Sequence, residues 1–192
     1  LNHSTLQKLA QVGTFDRWST HRRHAAWEVT GHIATKGLLR DAPIQDDITV
    51  DLPPPSEAEN MLTDYRQLGY TLGRHPLALL REQLNTLRFC SAQVLNSLDH
   101  GRLARACGLV TLRQRPPTAN GILFVTLEDE TGCVNVIVRA SLLERERQTL
   151  LHAPLLGVVG VWQQVQDVKH LLAGRLEDHT ALLHRLKLSH TL

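Results

Sequence analysis

The residues of this chain that could do chemistry are acids, histidines, arginines and one aromatic side chain on a strand. The three consecutive acids at 128–130 could suggest metal-assisted catalysis. Consecutive strand residues point to alternating sides, so these three carboxylates cannot converge on one ion without a loop. Because Thr131-Gly132 follows, the run predicts a hairpin turn instead of a metal site.

The sequence lacks the motifs of nucleophilic and phosphate-transfer chemistry. It has no Ser/His/Asp nucleophile signature, no glycine-rich phosphate loop and no Gly-Lys-Ser/Thr element. Its eleven histidines show no HxxxH or HExxH spacing, and lone ones such as His75 and His170 indicate structural groups. The three cysteines form no CxxC pair, which indicates a reducing compartment. We therefore expect no catalytic residue and no cofactor in this chain, no membrane association, and a cytoplasmic location.

A local excess of arginine is the first sign of a binding function. Between Gly101 and Leu127 there are four arginines and no acid. Such a basic stripe suits the phosphate backbone of a nucleic acid. Four arginines also occur together on solvated strands, so the stripe alone leaves both interpretations open. The four are Arg102, Arg105, Arg113 and Arg115.

The first part of the chain has helical periodicity. Apolar residues at 6, 9 and 10 predict a helix interrupted at Gly13, and a second helix is predicted to begin near Ser19 or Thr20. Trp27 and Val29 are expected to face a core. We assign residues 1–36 to this helical region and residues 37–55, which are rich in Pro and Asp, to a linker.

A helical connector is predicted over residues 56–100. Ser56 and Glu59 have the spacing of a capping box, and Gly69 suits the C-terminal cap of the same helix. Pro76 then opens another helix, because proline fits the first helical turn.

From about Arg102 the period changes to the alternation of strands. Val134, Val136 and Val138 are predicted to point inward from the second strand of a hairpin. Three strands, a helix and two further strands form the order of an OB-fold, a five-stranded Greek-key barrel. The predicted class is therefore α+β, with an N-terminal helical region, an OB-fold barrel over 101–179 and a C-terminal helix over 180–192.

An OB barrel binds oligonucleotides across its second and third strands. If Leu123, Val125 and Leu127 fill the barrel, Phe124 lies on the binding face, beside Arg113 and Asn135. Its ring could then stack on a base, which contributes about 1–3 kcal/mol. Periodicity alone allows the opposite arrangement, with Phe124 in the core. The candidate nucleic-acid-binding residues are Arg113, Arg115, Phe124, Thr126, Asn135 and Arg139.

Three motifs resemble the bacterial error-prone C-family DNA polymerases, relatives of the replicative polymerase III alpha subunit. The string GLVTLRQRPPTANGILFVTLEDETGCVNVIV resembles their OB domain. SEAENMLTDYRQLGYTLGRHPLALLR is similar to the segment before it, and LQKLAQVGTFDRWSTHRRHAAWEV to the end of their helix-hairpin-helix region. The GxxFxxLED pattern also resembles anticodon-binding barrels of class II tRNA synthetases, which favours an outward Phe124.

This resemblance implies a C-terminal, template-binding part of a larger polymerase that acts in translesion synthesis and damage-induced mutagenesis. The barrel would bind single-stranded DNA template, and the catalytic carboxylates of the palm, with the magnesium expected for the full-length enzyme, would lie outside this chain. The alternative is a protein-interaction platform without DNA binding of its own, docking accessory mutagenesis proteins through the barrel face or the helix at 181–188.

Two departures from the family pattern affect the expected partners. Relatives commonly have Trp-Pro after the third strand, where this chain has Arg139-Ala140. Replicative members carry a clamp-binding peptide running from glutamine to phenylalanine, whereas the corresponding stretch here has Gln45 but no aromatic residue. We therefore expect contact with the sliding clamp only indirectly, through an accessory mutagenesis protein related to Y-family polymerases.

Overall fold

The computed structural model describes residues 2–31, 50–117, 121–166 and 168–188. The chain divides into two compact units, Leu1–Gly73 and Arg74–Leu192. The predicted connector, residues 56–100, is thus divided between the two units. Within the described ranges, no helix is long and apolar enough to cross a membrane.

The described elements begin with helices, continue with strands and end with one helix. The helices before the first strand are α1 (His3–Gln11), α2 (Arg22–Gly31), α3 (Glu57–Leu68), α4 (Pro76–Thr86) and α5 (Ala92–Asn96). The barrel strands and the helices between and after them are β1 (Leu103–Gln114), β2 (Leu123–Asp129), β3 (Gly132–Val138), α6 (Ala140–Arg145), α7 (Arg147–His152), β4 (Leu155–Val165), β5 (Val168–Asp178) and α8 (Thr180–Leu188).

The predicted helix signals are confirmed at the start of α3 and α4. Ser56 accepts from the amide of Glu59, and the Glu59 carboxylate accepts in return from the amide of Ser56, which completes the capping box. Gly69 caps the other end of α3 with a left-handed φ of 81°. Pro76 is the first residue of α4, as its fixed φ favours.

Two consecutive arginines hold the first unit together. Arg22 Nη1 donates to Asp64 Oδ1 at 2.6 Å and forms a largely buried ion pair between α2 and α3. Arg23 Nη2 donates to Glu59 Oε1 at 3.0 Å and its Nη1 to the carbonyl of Pro53. The two arginines therefore fasten α2 to α3 and to the extended residues before it.

The expectation that Trp27 and Val29 face a core is wrong. Trp27 is 55 % exposed, and Val29 is only half-buried. The buried residue of α2 is Ala25, and that of α1 is Ala10, so the buried side chain of each helix is a small one. Helical periodicity identifies a face, but it does not decide which face meets another element.

The barrel predicted for the second half of the chain is confirmed. Its five strands close in the order β1-β2-β3-β5-β4. All pairings are antiparallel except β3 with β5, which is parallel. This is the Greek-key arrangement of an OB-fold, and the chain is accordingly an α+β protein.

The closed barrel contains two local irregularities in its strand pairing. The first half of β1 pairs with β4 and its second half with β2, with a break in register between Val110 and Leu112. A second break lies between Val159 and Gly160 on β4. A Cβ on Gly160 would lie 2.1 Å from the carbonyl oxygen of Leu172, so only glycine permits this close approach.

Helices close both ends of the barrel. At one end Ala92 and Leu95 of α5 enter the core, and at the other Leu142 of α6 and Leu150 of α7 do so. The inward strand residues include the three alternating valines predicted for β3. Trp162 of β4 is the largest side chain in this core, at 1 % exposure.

A second cluster covers part of the outside of the barrel. Leucines of α4 and Leu182 of α8 pack against Phe89, Cys107 of β1 and Leu155 of β4. Burial raises the pKa of the Cys107 thiol to about 12, so this cysteine stays protonated at neutral pH. This cluster covers the outer face of the barrel at Cys107 and Leu155. The outer face of β2, β3 and β5 contributes no residue to the cluster.

The acidic run at 128–130 ends β2 and leads into the predicted turn, which Glu130 and Thr131 form between β2 and β3. The buried Asp129 carboxylate accepts from the amides of Thr131 and Gly132 within the turn and from the amide of Ala92 at 2.7 Å. Arg81 of α4 donates to Glu130 Oε2 at 2.8 Å and to Asp129 Oδ2 at 3.3 Å. The run therefore connects α4 and α5 to the barrel. Across the described ranges, no group of three or more His, Cys, Asp or Glu side chains could hold a metal ion.

We predict that Asp129→Ala lowers the free energy of unfolding by about 3 kcal/mol, because it leaves the buried amide of Ala92, two turn amides and the Arg81 guanidinium without this acceptor. Urea unfolding of the whole chain measures this. The matched control is Glu82→Ala, which removes an exposed carboxylate from α4 and should change stability by less than about 0.5 kcal/mol. Equal stability of the two variants would contradict the role assigned to Asp129.

Candidate nucleic-acid interface

Phe124 lies on the outside of the barrel. Leu123, Val125 and Leu127 are buried in the core, whereas Phe124 is 38 % exposed. Strand alternation explains this arrangement, since neighbours along β2 must point to opposite sides. The interpretation that places Phe124 outward is therefore the correct one of the two that the sequence left open.

Cross-strand partners surround Phe124 with further side chains. Residues directly opposite one another in a sheet point to the same side. Gln114 of β1 and Ile137 of β3 are the partners of Phe124. Thr126 has partners on the same two strands and forms the adjacent row. The two rows together, called the outer patch below, consist of Leu112, Gln114, Phe124, Thr126, Asn135 and Ile137.

Arg113 does not share this patch, although the alternation of β1 predicted that it would. Its partner is Val125, which is buried in the core. The side chain of Arg113 therefore leaves the backbone on the inner side of the sheet. The register break at Thr111 is the cause, because one extra residue reverses the side of every residue after it. The same break turns Leu112 outward, and this leucine is 46 % exposed.

The guanidinium of Arg113 is bound to the end of α7. Nε donates to the carbonyl of Leu150 at 2.8 Å, and Nη2 donates to the carbonyl of Ala153 at 2.7 Å. Leu150 lies in the last turn of α7 and Ala153 directly follows the helix, and carbonyls at these positions have no partner within a helix. Burial lowers the pKa of Arg113, which remains charged at neutral pH all the same.

The other arginines of the predicted basic stripe also differ from one another. Arg105 bonds to Glu177 at 3.3 Å and lies over the ring of Phe89 at 4.7 Å, so it is engaged within the fold. Arg102 and Arg115 are exposed. The stripe seen in the sequence is therefore distributed over several sides of the barrel.

Arg115 and Arg139 are the site arginines that remain exposed. Neither forms an ion pair with any residue in the described part of the chain. Arg139 follows β3 in extended conformation and begins α6. Arg115 borders a surface cleft of about 330 Å³ whose other lining residues are Leu123, Ala140, Leu143, Glu144, Arg147 and Leu151.

Two members of the outer patch were not among the predicted site residues. Ile137 alternates with the inward valines of β3, so its outward position was available from the sequence pattern. Leu112 was hidden by the register break, for which the sequence carries no distinct signal. The candidate residues that the structure brings together on the patch are Phe124, Thr126 and Asn135.

The sequence is similar to error-prone DNA polymerases. It is 50 % identical over 186 residues to that of Bordetella parapertussis, covering 97 % of this chain and 18 % of the relative. For the enzyme of Burkholderia pseudomallei the identity is 51 % over 187 residues, covering 97 % of this chain and 17 % of the relative. The chain thus spans less than a fifth of the length of these curated relatives. No family model matches it.

Solved structures show only distant likeness. Asparaginyl-tRNA synthetase from Pyrococcus horikoshii aligns with a TM-score of 0.36 and 18 % identity, over 42 % of this chain and 19 % of that one. The p204 HINb domain aligns with a TM-score of 0.37 and 18 % identity, over 47 % of this chain and 45 % of that one. Scores of this size support no inference about function.

We predict that Arg113→Ala destabilises the barrel by about 1–3 kcal/mol, because two helix carbonyls lose their donor. Thermal or urea unfolding of the whole chain measures the effect. Arg115→Ala is the control: it removes the same charge two residues away but should change stability by less than about 0.5 kcal/mol. If both variants are as stable as the parent chain, the capping role of Arg113 is refuted.

Proposed function

The chain matches a C-terminal region of the error-prone DNA polymerases, as its motifs indicated, and from this premise we propose that its barrel binds single-stranded DNA template. The observation that carries the proposal is the outward, half-exposed ring of Phe124 within a patch of neutral side chains. An aromatic ring offers a stacking surface to any base, and this suits binding without sequence preference.

The surroundings of the ring support the same function. Thr126 and Asn135 lie opposite each other on β2 and β3 and can hydrogen-bond to base edges. Arg139 and Arg115, which lie at the end of the barrel closed by α6, offer cations to phosphates. Arg113 takes no direct part in this proposal, because its donors are bound to carbonyls of the fold.

The function of the whole protein is part of the proposal. We assign to it template-directed DNA synthesis past lesions in damage-induced mutagenesis, with deoxynucleoside triphosphates as substrates and magnesium bound by a palm domain outside this chain. The role of the present region would be to guide the template toward that active site.

Partner proteins are also proposed on the basis of the family. Gln45 lies outside the described residues. The sequence there lacks the aromatic residue of a clamp-binding peptide. We infer contact with the sliding clamp only through an accessory mutagenesis protein related to Y-family polymerases.

We predict that Phe124→Ala weakens binding of fluorescein-labelled oligo-dT by about tenfold, because one stacking contact of about 1–3 kcal/mol is lost. Fluorescence anisotropy with the whole chain at low salt measures the dissociation constant. The matched control is Leu87→Ala, since Leu87 is 40 % exposed but lies at the end of α4. Equal affinities of the two variants would refute the site.

We predict that the double variant Arg115→Ala/Arg139→Ala lowers the salt dependence of binding. Each phosphate contact on a single strand contributes about 0.7 to the slope of log K against log salt concentration, so the slope should fall by about 1.4. Arg185→Ala, on the exposed side of α8, is the control for removal of a distant charge. An unchanged slope would show that neither arginine contacts phosphate.

Failure of the parent chain to bind any oligonucleotide, together with robust capture of the accessory mutagenesis protein, would favour the alternative function. The region would then be a protein-interaction platform.

A further inference from the structure

A row of apolar side chains crosses all five strands on the outside of the barrel. Phe124 of β2 is the partner of Ile137 on β3, and Ile137 is the partner of Leu172 on β5. Leu172 is in turn the partner of Val161 on β4, and Val161 is the partner of Leu103 on β1. These five residues are called the apolar row below.

The row faces away from the core along its whole length. Leu172 lies between Leu171 and Ala173, which are both buried in the barrel, and the other strands alternate in the same way. Leu103 is 81 % exposed, Phe124 is 38 % exposed, and the three residues between them are partly exposed. Neither α4 nor α8 includes the row in its buried cluster.

One side of the row is lined by uncharged polar groups. Thr126 and Asn135 occupy the positions two residues from Phe124 and Ile137. Gln163 and His170, which are cross-strand partners two residues from Val161 and Leu172, continue the line. His170 Nε2 and Gln163 Oε1 are 3.1 Å apart and form a hydrogen bond. This side, called the amide side, offers donors and acceptors but no carboxylate.

The other side of the row is lined by arginines. Arg105 and Arg175 are both partners of Val159, which lies two residues before Val161. Arg139 follows Ile137 by two residues and is exposed. Glu177, which follows Arg175 by two residues and lies farther from the row, forms ion pairs with Arg105 and Arg175. Among the described residues, the row and its amide side contain no acid, and Arg139 is the arginine of the other side that forms no ion pair.

We propose that the single strand runs along the entire apolar row, from Phe124 past Leu172 to Leu103, with phosphates on the arginine side and base edges on the amide side. This inference rests on the proposed function and extends its site from β2 and β3 to β5, β4 and the start of β1. A chain of flat apolar bases with polar edges and an anionic backbone matches all three lines of residues.

The chemistry of the sides favours nucleic acid over a protein partner. An acidic amphipathic peptide could use the apolar row and the arginines, but it would leave the amide side without a matching line of polar groups. Four strand spacings of about 4.8 Å give the row a length of about 19 Å. That length accommodates about five stacked nucleotides at about 3.4 Å each.

Oligonucleotide length tests the extension. Anisotropy with the whole chain should show that dT8 binds Leu172→Glu about tenfold more weakly than it binds the parent chain, whereas dT3, which Phe124 and Ile137 can hold by themselves, loses less than twofold. Leu172→Gln, which adds no charge, should show the same dependence on length with a smaller loss. Thermal unfolding confirms that both variants are folded.

Val165→Glu is the control, because it adds the same charge to β4 at an exposed position beyond the row. If Leu172→Glu and Val165→Glu have equal affinities at both lengths, the extended path is refuted and the site at Phe124 stands. If the parent chain binds neither oligonucleotide, the proposed function itself fails, and the extension fails with it. If both variants of Leu172 weaken dT8 selectively, the path along the row is supported.

Discussion

The structure of the barrel depends on the double pairing of β1. This strand pairs with β4 over Leu103–Leu109 and with β2 over Leu109–Gln114, so it closes the wall that the pairing of β3 with β5 joins on the other side. A strand can do this only if it bends, and the register break beside Thr111 supplies the bend. Because of that single extra residue, the side chain of Leu112 points outward, and the side chain of Arg113 leaves the backbone on the inner side of the sheet.

This bend also separates two kinds of arginine. Arg113 and Arg105 are the arginines of β1, and both are engaged in holding elements of the fold together, one at α7 and the other at Glu177 and Phe89. Arg115 and Arg139 directly follow the last residues of β1 and β3, and neither forms an ion pair within the described part of the chain. Basic residues that are close in sequence thus differ in whether they are paired within the fold or exposed, according to their position relative to the strand ends.

Local signals were sufficient for most of the fold. The capping box at Ser56, the turn after Asp129 and the inward valines of β3 were predicted because each depends only on neighbouring residues. The side of Arg113 was predicted wrongly, because Val110, Thr111 and Leu112 are equally good strand residues and a bulge among them leaves no trace in their types. Trp27 was misplaced because the partner of a helix face lies elsewhere in the chain. The apolar row was not predicted either, since it exists only through pairing between distant strands.

The strand order has a consequence for how the chain is synthesised. Val136 of β3 pairs with Leu171 of β5, which is the last of the five barrel strands to leave the ribosome. Until β5 is available, β3 and β4 each have an open edge with unpaired amides and carbonyls. Open edges of this kind recruit strands from other chains. A nascent or truncated chain that stops before Val168 therefore carries two aggregation-prone edges, although α4, α5 and four strands of the barrel are already complete.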